Sequence, residues 1–133
     1  LVFKIMKINI EVSLGELIDK LSILEIKLAK IEDKEKKSNI KKEYKLLKNE
    51  YTKVLKTHNN VKKYFEKIKI INLDIWCMEE DIRHLIRQEK FESEYINMAK
   101  KIHRTNDYRF EIKNEINKIF NSSLLEQKSY PEY

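Results

Sequence analysis

Glycine and proline each occur only once in this chain of 133 residues, at Gly15 and Pro131. Folds rich in tight turns, such as β-sheets and doubly wound sheets, depend on these residues. Their scarcity favours a few long helices with short connections, which make successive helices antiparallel neighbours. The sequence therefore predicts an all-α fold of four long antiparallel helices, in a bundle or in coiled-coil-like hairpins, within one helical domain spanning residues 1–133.

Apolar residues recur at alternating spacings of three and four residues along each predicted helix, the pattern of an amphipathic helix. The first helix is predicted at residues 13–32, because Ser13 and Glu16 form a capping-box pattern. Its apolar arc is wide enough to need more than one neighbour, so we expect it to be central. The other helices are predicted at about residues 39–57, 61–88 and 92–120, with polar residues 32–38 as a connection. The expected core comprises Leu21, Leu24, Leu28, Ile71, Ile75, Ile82, Ile102 and Ile116.

The two ends of the chain are predicted to be extended. Residues 7–12 alternate apolar and polar side chains, which indicates a short strand or an extended arm within residues 1–12. A lone strand needs a partner for its backbone, which the C-terminal tail or a second copy could supply. Residues 124–133 are predicted to form an extended tail, since Pro131 disfavours a helix there.

Several classes of protein are disfavoured. The single cysteine, Cys77, excludes an intrachain disulfide. No apolar run approaches the ~20 residues of a membrane span, and no signal peptide is evident, so a cytoplasmic protein without membrane association is expected. The three histidines lack the further ligands that a metal site within a helical bundle requires. We expect no cofactor and no metal.

Lysine is concentrated in the middle of the chain. Residues 34–69 contain 13 Lys and 4 Glu, a net charge of +9. This segment is either a solvated helix face or a surface that binds a polyanion. Nucleic acid is the less favoured partner, because the segment lacks the interleaved exposed aromatic residues on which bases stack.

One polar patch interrupts the apolar pattern of the fourth helix. Thr105 and Arg109 stand where the repeat calls for apolar residues, and a hairpin between the third and fourth helices places them opposite residues 75 and 71. Arginine binds carboxylates and phosphates with a planar, bidentate fork. The candidate ligand-binding residues are Arg104, Asn106, Asp107 and Arg109, with Asp74 and Glu79 on the third helix. The alternative is a buried salt-bridge layer that fixes the register of the helices.

No pattern in the sequence predicts catalytic residues. The favoured function is a non-enzymatic interaction or assembly protein, homo-oligomeric and with protein partners. The first alternative is a helical bundle that binds or processes an anionic small molecule, such as a nucleotide or a sugar phosphate, at the arginine patch. The second alternative is polyanion binding by segment 34–69.

Three blocks of sequence resemble a family of small bacterial and phage helical proteins known only as a domain of unknown function. They are GELIDKLSILEIK at residues 15–27, RTND with Arg109, and EQKSY at residues 126–130. The likeness spans Met6, a typical translation start, to Tyr130, and excludes residues 1–5 and the lysine-rich second helix. It implies no activity. The blocks fall on the start of the first helix, on the polar patch and on the tail, so they would form one site if the tail folds back.

Overall fold

The computed structural model describes residues 4–131, and regular structure within that range is entirely helical. The four helices are α1 (Leu14–Lys30), α2 (Lys34–Thr57), α3 (Val61–Arg87) and α4 (Ser93–Ile119). The prediction of an all-α chain with four long helices is confirmed.

Local capping explains where the first two helices begin. The Ser13 hydroxyl accepts a hydrogen bond from the Glu16 N–H at 3.1 Å, which is half of the predicted capping box. The predicted connection at residues 32–38 is wrong, because α2 already begins at Lys34. Asp33 caps it by accepting a hydrogen bond from the Lys36 N–H at 2.9 Å. Lysine and glutamate are good helix formers, so a polar stretch behind a cap continues as helix.

Helices α1 and α3 each contact all three other helices, so the two together form the centre of the fold. No contact joins α2 to α4, both of which are fully described. Ile18 and Leu21 on α1 are completely buried, as the wide apolar arc predicts. The main core cluster joins them to residues of all three other helices, namely Tyr51, Val61, Phe65, Ile68, Ile71, Ile112 and Ile116.

Helices α3 and α4 also form a smaller apolar cluster of their own, which consists of Met78, Ile82 and Ile102. Its three residues come from these two helices alone, as expected if α3 is too long for α1 to cover. Of the eight predicted core residues, all are buried except Leu28 and Ile75, which are half-buried.

The N-terminal strand does not form. Residues 4–12 have no helix or strand, and every one of them is exposed. Ile8 and Ile10 are 77% and 76% exposed, so the alternating pattern has neither a sheet partner nor a core face among residues 4–131. Residues 1–3 of the predicted arm, and residues 132–133 of the predicted tail, lie outside the described residues.

Candidate functional site

The first turn of α1 is fixed directly onto the last turns of α4. The Gly15 N–H donates to Asn117 Oδ1 at 2.7 Å, and the Leu14 N–H donates to the Ser122 hydroxyl at 3.1 Å. Asn121 adopts a left-handed backbone conformation (φ 55°), which ends α4 and brings Ser122 to this position. These bonds satisfy donors that a helix N-terminus leaves unpaired.

A buried lysine lies next to this junction and binds three carboxylates. The side chain of Lys113 is only 8% exposed. Its Nζ lies 2.5 Å from Glu16 Oε1, 3.2 Å from Asp19 Oδ2 and 3.2 Å from Glu126 Oε2. Burial lowers the pKa of Lys113, but the hydrogen bond to Glu16 and the charges of Asp19 and Glu16 outweigh it, so the pKa lies above the ordinary value. Lys113 is therefore held in its charged form.

A chain of polar contacts leads from this cluster to the predicted patch. Asn72 on α3 donates from Nδ2 to Asp19 Oδ1 and to the Ser22 hydroxyl, both at 2.8 Å. Its Oδ1 accepts a hydrogen bond from Arg109 Nη1 at 2.8 Å. Arg109 Nη2 donates to Asn106 Oδ1, also at 2.8 Å. Asn72 thus links the positive guanidinium of Arg109 to the negative carboxylate of Asp19.

The tail folds back along α4 after Ser123. The main-chain carbonyl of Glu126 accepts a hydrogen bond from Asn114 Nδ2 at 3.0 Å, and the Glu126 side chain binds Lys113. Two residues further, Lys128 Nζ lies 5.3 Å from the centre of the Phe110 ring. The tail is therefore attached to α4 by a buried ion pair, a hydrogen bond and a cation–π contact.

An open groove lies between α4 and this tail, and we call it the tail groove. Its volume is about 900 Å³, within the usual range for small-molecule sites. Four of its lining residues are cationic and one is acidic, so the groove is strongly basic. The lining residues are Lys100, His103, Arg104, Asn106, Asp107, Arg109, Lys128, Tyr130 and Pro131.

The candidate residues from the sequence divide into two groups. Those on α4, which are Arg104, Asn106, Asp107 and Arg109, all line the tail groove. Those on α3 do not: Asp74 is exposed in a separate surface depression between α3 and α4 that Arg104 also borders. Glu79 lies 3.8 Å from Arg83 on its own helix. Within residues 4–131, no ion pair joins Asp74 or Glu79 to either arginine of the patch.

Sequence reasoning missed the residues that hold the site together. Lys113 and Asn117 follow Arg109 at steps of four, so they continue the polar patch along one face of α4. That spacing could have revealed both residues. However, each is next to a position that is apolar, as the heptad repeat requires, so the repeat shows no interruption there. Asn72, which follows the position that the hairpin sets opposite Arg109, was not among the candidate residues, and its bonds to Asp19 and Ser22 on α1 were not predicted.

The arrangement is suited to holding an anion. Arginine and lysine side chains in an open groove bind phosphate or carboxylate groups through charge-assisted hydrogen bonds. Among residues 4–131, no three His, Cys, Asp or Glu side chains come together as metal ligands. None of the four helices is long and apolar enough to cross a membrane.

Fold and site together define a four-helix protein with a basic groove beside a buried polar junction. The chain matches the model of a family of unknown function (DUF6165) over residues 6–132, and it belongs to that family. No curated protein and no solved structure matches it significantly.

Proposed function

We propose that the protein binds a small anionic ligand, such as a nucleotide or a sugar phosphate, in the tail groove. The observation that carries this proposal is Arg104. Its side chain is exposed in the groove, and no hydrogen bond or ion pair joins it to another residue of the described range 4–131. A guanidinium that has no partner among the described residues, and that lies among further cations, is available to a ligand.

The contacts of Arg109 support the same function. Its two hydrogen-bond acceptors, Asn72 and Asn106, are neutral amides. These hydrogen bonds fix the orientation of the Arg109 guanidinium. Neither amide is charged, so neither neutralises the positive charge of Arg109. A layer of buried salt bridges would instead place a carboxylate there. The geometry therefore favours a ligand site over a purely structural layer.

We expect Arg104→Gln and Lys128→Gln each to weaken the binding of ADP and of glucose 1-phosphate. Removing one charge-assisted contact costs about 1.5–3 kcal/mol, so affinity should fall about tenfold or more. Both anions, with inorganic phosphate for comparison, are to be titrated by isothermal calorimetry at low ionic strength, where exposed charges are least screened.

Lys41→Gln and Lys45→Gln provide the matched control, since they also remove one charge each but lie on the exposed face of α2. They should leave anion affinity within about twofold, because they make no contact with the tail groove. Equal weakening by control and groove variants, or no binding of any of the three probes to the unmodified chain, would contradict the proposal.

A second candidate function is a non-enzymatic assembly protein, in which the helical bundle or its hairpins contact further copies or other proteins. Apolar side chains that nothing covers among residues 4–131 favour it, notably Ile8 and Ile10 in the arm and Ile70 on α3, at 77%, 76% and 69% exposed. Such surfaces often mark sites of protein association. Light scattering of the purified chain should give a mass above that of one copy.

Polyanion binding by segment 34–69 is the third candidate. We expect the triple variant of Lys41, Lys45 and Lys48 to Gln to change the free energy of unfolding by no more than about 1 kcal/mol, because Lys41 and Lys45 are solvated and Lys48 contributes one cation–π contact with Tyr51. The same variant should elute from heparin at unchanged salt concentration if these lysines only face solvent. Earlier elution would instead support polyanion binding through counterion release.

A further inference from the structure

The described part of the N-terminal arm, residues 4–12, has no backbone partner. Within residues 4–131, no main-chain hydrogen bond joins these residues to one another or to the rest of the protein. Their one polar contact in that range is between the Glu11 carboxylate and the Ser123 hydroxyl. The tail is not a partner for the arm, because Glu126 and Lys128 attach it to α4. An extended segment with unpaired N–H and C=O groups is a template for another strand.

The arm has two different faces, because alternate residues of an extended chain point to opposite sides. One face is wholly apolar and exposed, and it consists of Met6, Ile8, Ile10 and Val12. The other face carries Ile5, Lys7, Asn9 and Glu11. Lys7 and Glu11 are the only charged residues between Ile5 and Ser13, and they lie at equal distances on either side of Asn9.

We propose that the arms of two copies of this chain pair as antiparallel strands about a two-fold axis at Asn9. Lys7 of each copy is then directly opposite Glu11 of the other, and Ile8 is opposite Ile10. A two-fold interface uses the same segment twice, so the segment must be self-complementary. The arm meets that condition, since both ion pairs form and no like charges meet. The inference rests on the assembly function and is independent of anion binding.

Other pairings of two arms lose this complementarity. A parallel pair in register sets Lys7 against Lys7 and Glu11 against Glu11, and like charges directly opposite are destabilising. An antiparallel pair with its axis between two residues sets apolar side chains opposite polar ones. An axis at Ile8 or at Ile10 keeps the apolar face together but leaves both charged residues without an ion pair. The axis at Asn9 is the one that matches both faces.

The bundle supplies a surface for the paired arms. A groove of about 540 Å³ lies where the arm meets α1 and α2, and Ile10 and Val12 of the apolar face border it. Its other apolar lining residues are Leu14, Leu17 and Val54. Residues 4–8 extend beyond this groove, so the protruding half of one arm would lie along the anchored half of the other. Two strands alone are marginally stable in water, and packing of their apolar face on the helices stabilises them.

Charge reversal tests the pairing. In Lys7→Glu, both attractive pairs of the dimer become repulsive, so the dimer dissociation constant should rise about tenfold. Glu11→Lys should weaken the dimer similarly, and the double variant K7E/E11K should return the constant to within about threefold of the original value. Lys41→Glu on the exposed side of α2 is the matched control for net charge and should change it less than about twofold. Sedimentation equilibrium measures the constant, and circular dichroism verifies that each variant remains helical.

Disulfide formation tests the register, in variants that also carry Cys77→Ser. Asn9→Cys places two thiols across the two-fold axis, where the Cα atoms of directly opposite residues are about 4.5–5.5 Å apart, within disulfide range. Mild oxidation should therefore yield a covalent dimer. Met6→Cys is the matched control and should form far less dimer, because antiparallel pairing sets its two copies about 20 Å apart along the strands. A parallel pair would crosslink both variants.

The outcomes separate the pairing of the arms from the assembly function. A chain that is monomeric up to the highest concentration measured overturns both. A dimer that neither charge reversal weakens overturns the pairing while assembly stands. A double variant that fails to recover, or a Met6→Cys variant that crosslinks as fully as Asn9→Cys, also overturns the pairing. Recovery of the double variant together with selective crosslinking at residue 9 supports it.

Discussion

Replacing Lys113 by methionine is expected to lower the free energy of unfolding by about 3–5 kcal/mol, because it leaves the buried carboxylate of Asp19, and the more exposed ones of Glu16 and Glu126, without their counterion. Lys113 binds Glu16, Asp19 and Glu126, which come from α1 and from the tail. Methionine nearly matches the length of the lysine chain, so the change tests charge more than volume. Urea unfolding followed by circular dichroism measures the loss.

Two further variants identify the cause of that loss. Lys20→Met removes a lysine from the exposed side of α1, where its ion pair with Glu43 is 62% and 41% exposed, and should cost less than about 1 kcal/mol. Adding Asp19→Asn to Lys113→Met removes one orphaned charge and keeps an oxygen for Asn72, so part of the stability should return. A Lys113→Met variant as stable as the original protein would show that this cluster does not hold α1, α4 and the tail together.

The raised pKa of Lys113 also fixes the direction of a pH effect. Its folded-state pKa is higher than the ordinary value of 10.5. The stability that it contributes is therefore fully present below about pH 10.5 and is lost as the pH rises through the folded-state pKa. The original protein should lose stability more steeply above pH 10.5 than Lys113→Met does. Parallel pH profiles of the two proteins would contradict this coupling.

Gly15→Ala is expected to lower the free energy of unfolding by about 2–3 kcal/mol, although alanine normally stabilises a helix relative to glycine. A Cβ at Gly15 would lie 2.8 Å from the main-chain oxygen of Lys113 and 2.9 Å from Asn117 Oδ1. The first of these is backbone, so α1 and α4 must separate. That movement also weakens the hydrogen bond from the Gly15 N–H to Asn117.

Thermal unfolding of Gly15→Ala beside Lys20→Ala, an exposed position later in α1, isolates the packing effect. The control replaces a residue whose side chain is 62% exposed and paired with Glu43 of α2, and it should stay within about 1 kcal/mol of the original protein. A Gly15→Ala variant with unchanged or increased stability would mean that helix propensity outweighs the close approach of the two helices. The single glycine of the chain would then be an ordinary helix residue.

Local chemistry was enough to predict the helices. Apolar spacing, the Ser13 cap and the scarcity of glycine and proline all act over a few residues, and sequence displays such effects directly. The same locality explains the error at residues 32–38. The absence of apolar residues predicts a break, whereas Asp33 caps a helix whose exposed turns need no apolar face.

The arginine patch was visible because Thr105 and Arg109 interrupt a regular pattern. Their neighbours on α3 were placed by the hairpin, and the expected position opposite Arg109, residue 71, lies next to the observed partner Asn72. Whether an amide or a carboxylate of α3 contacts Arg109 depends on the rotation of α3 about its own axis. Asp74 is turned to the exposed side, and helical spacing alone did not predict which polar residue would face inward.

Only the tertiary structure decided which charged residue would be buried. In the sequence Lys113 is one lysine among many, and its spacing of four residues from Arg109 indicates a shared helix face but not burial. Its burial requires Glu16 and Asp19 of α1 and Glu126 of the tail to meet at one point. A charge leaves water only where opposite charges compensate it. Those partners are distant along the chain, so their meeting is set by how the helices pack and where the tail returns.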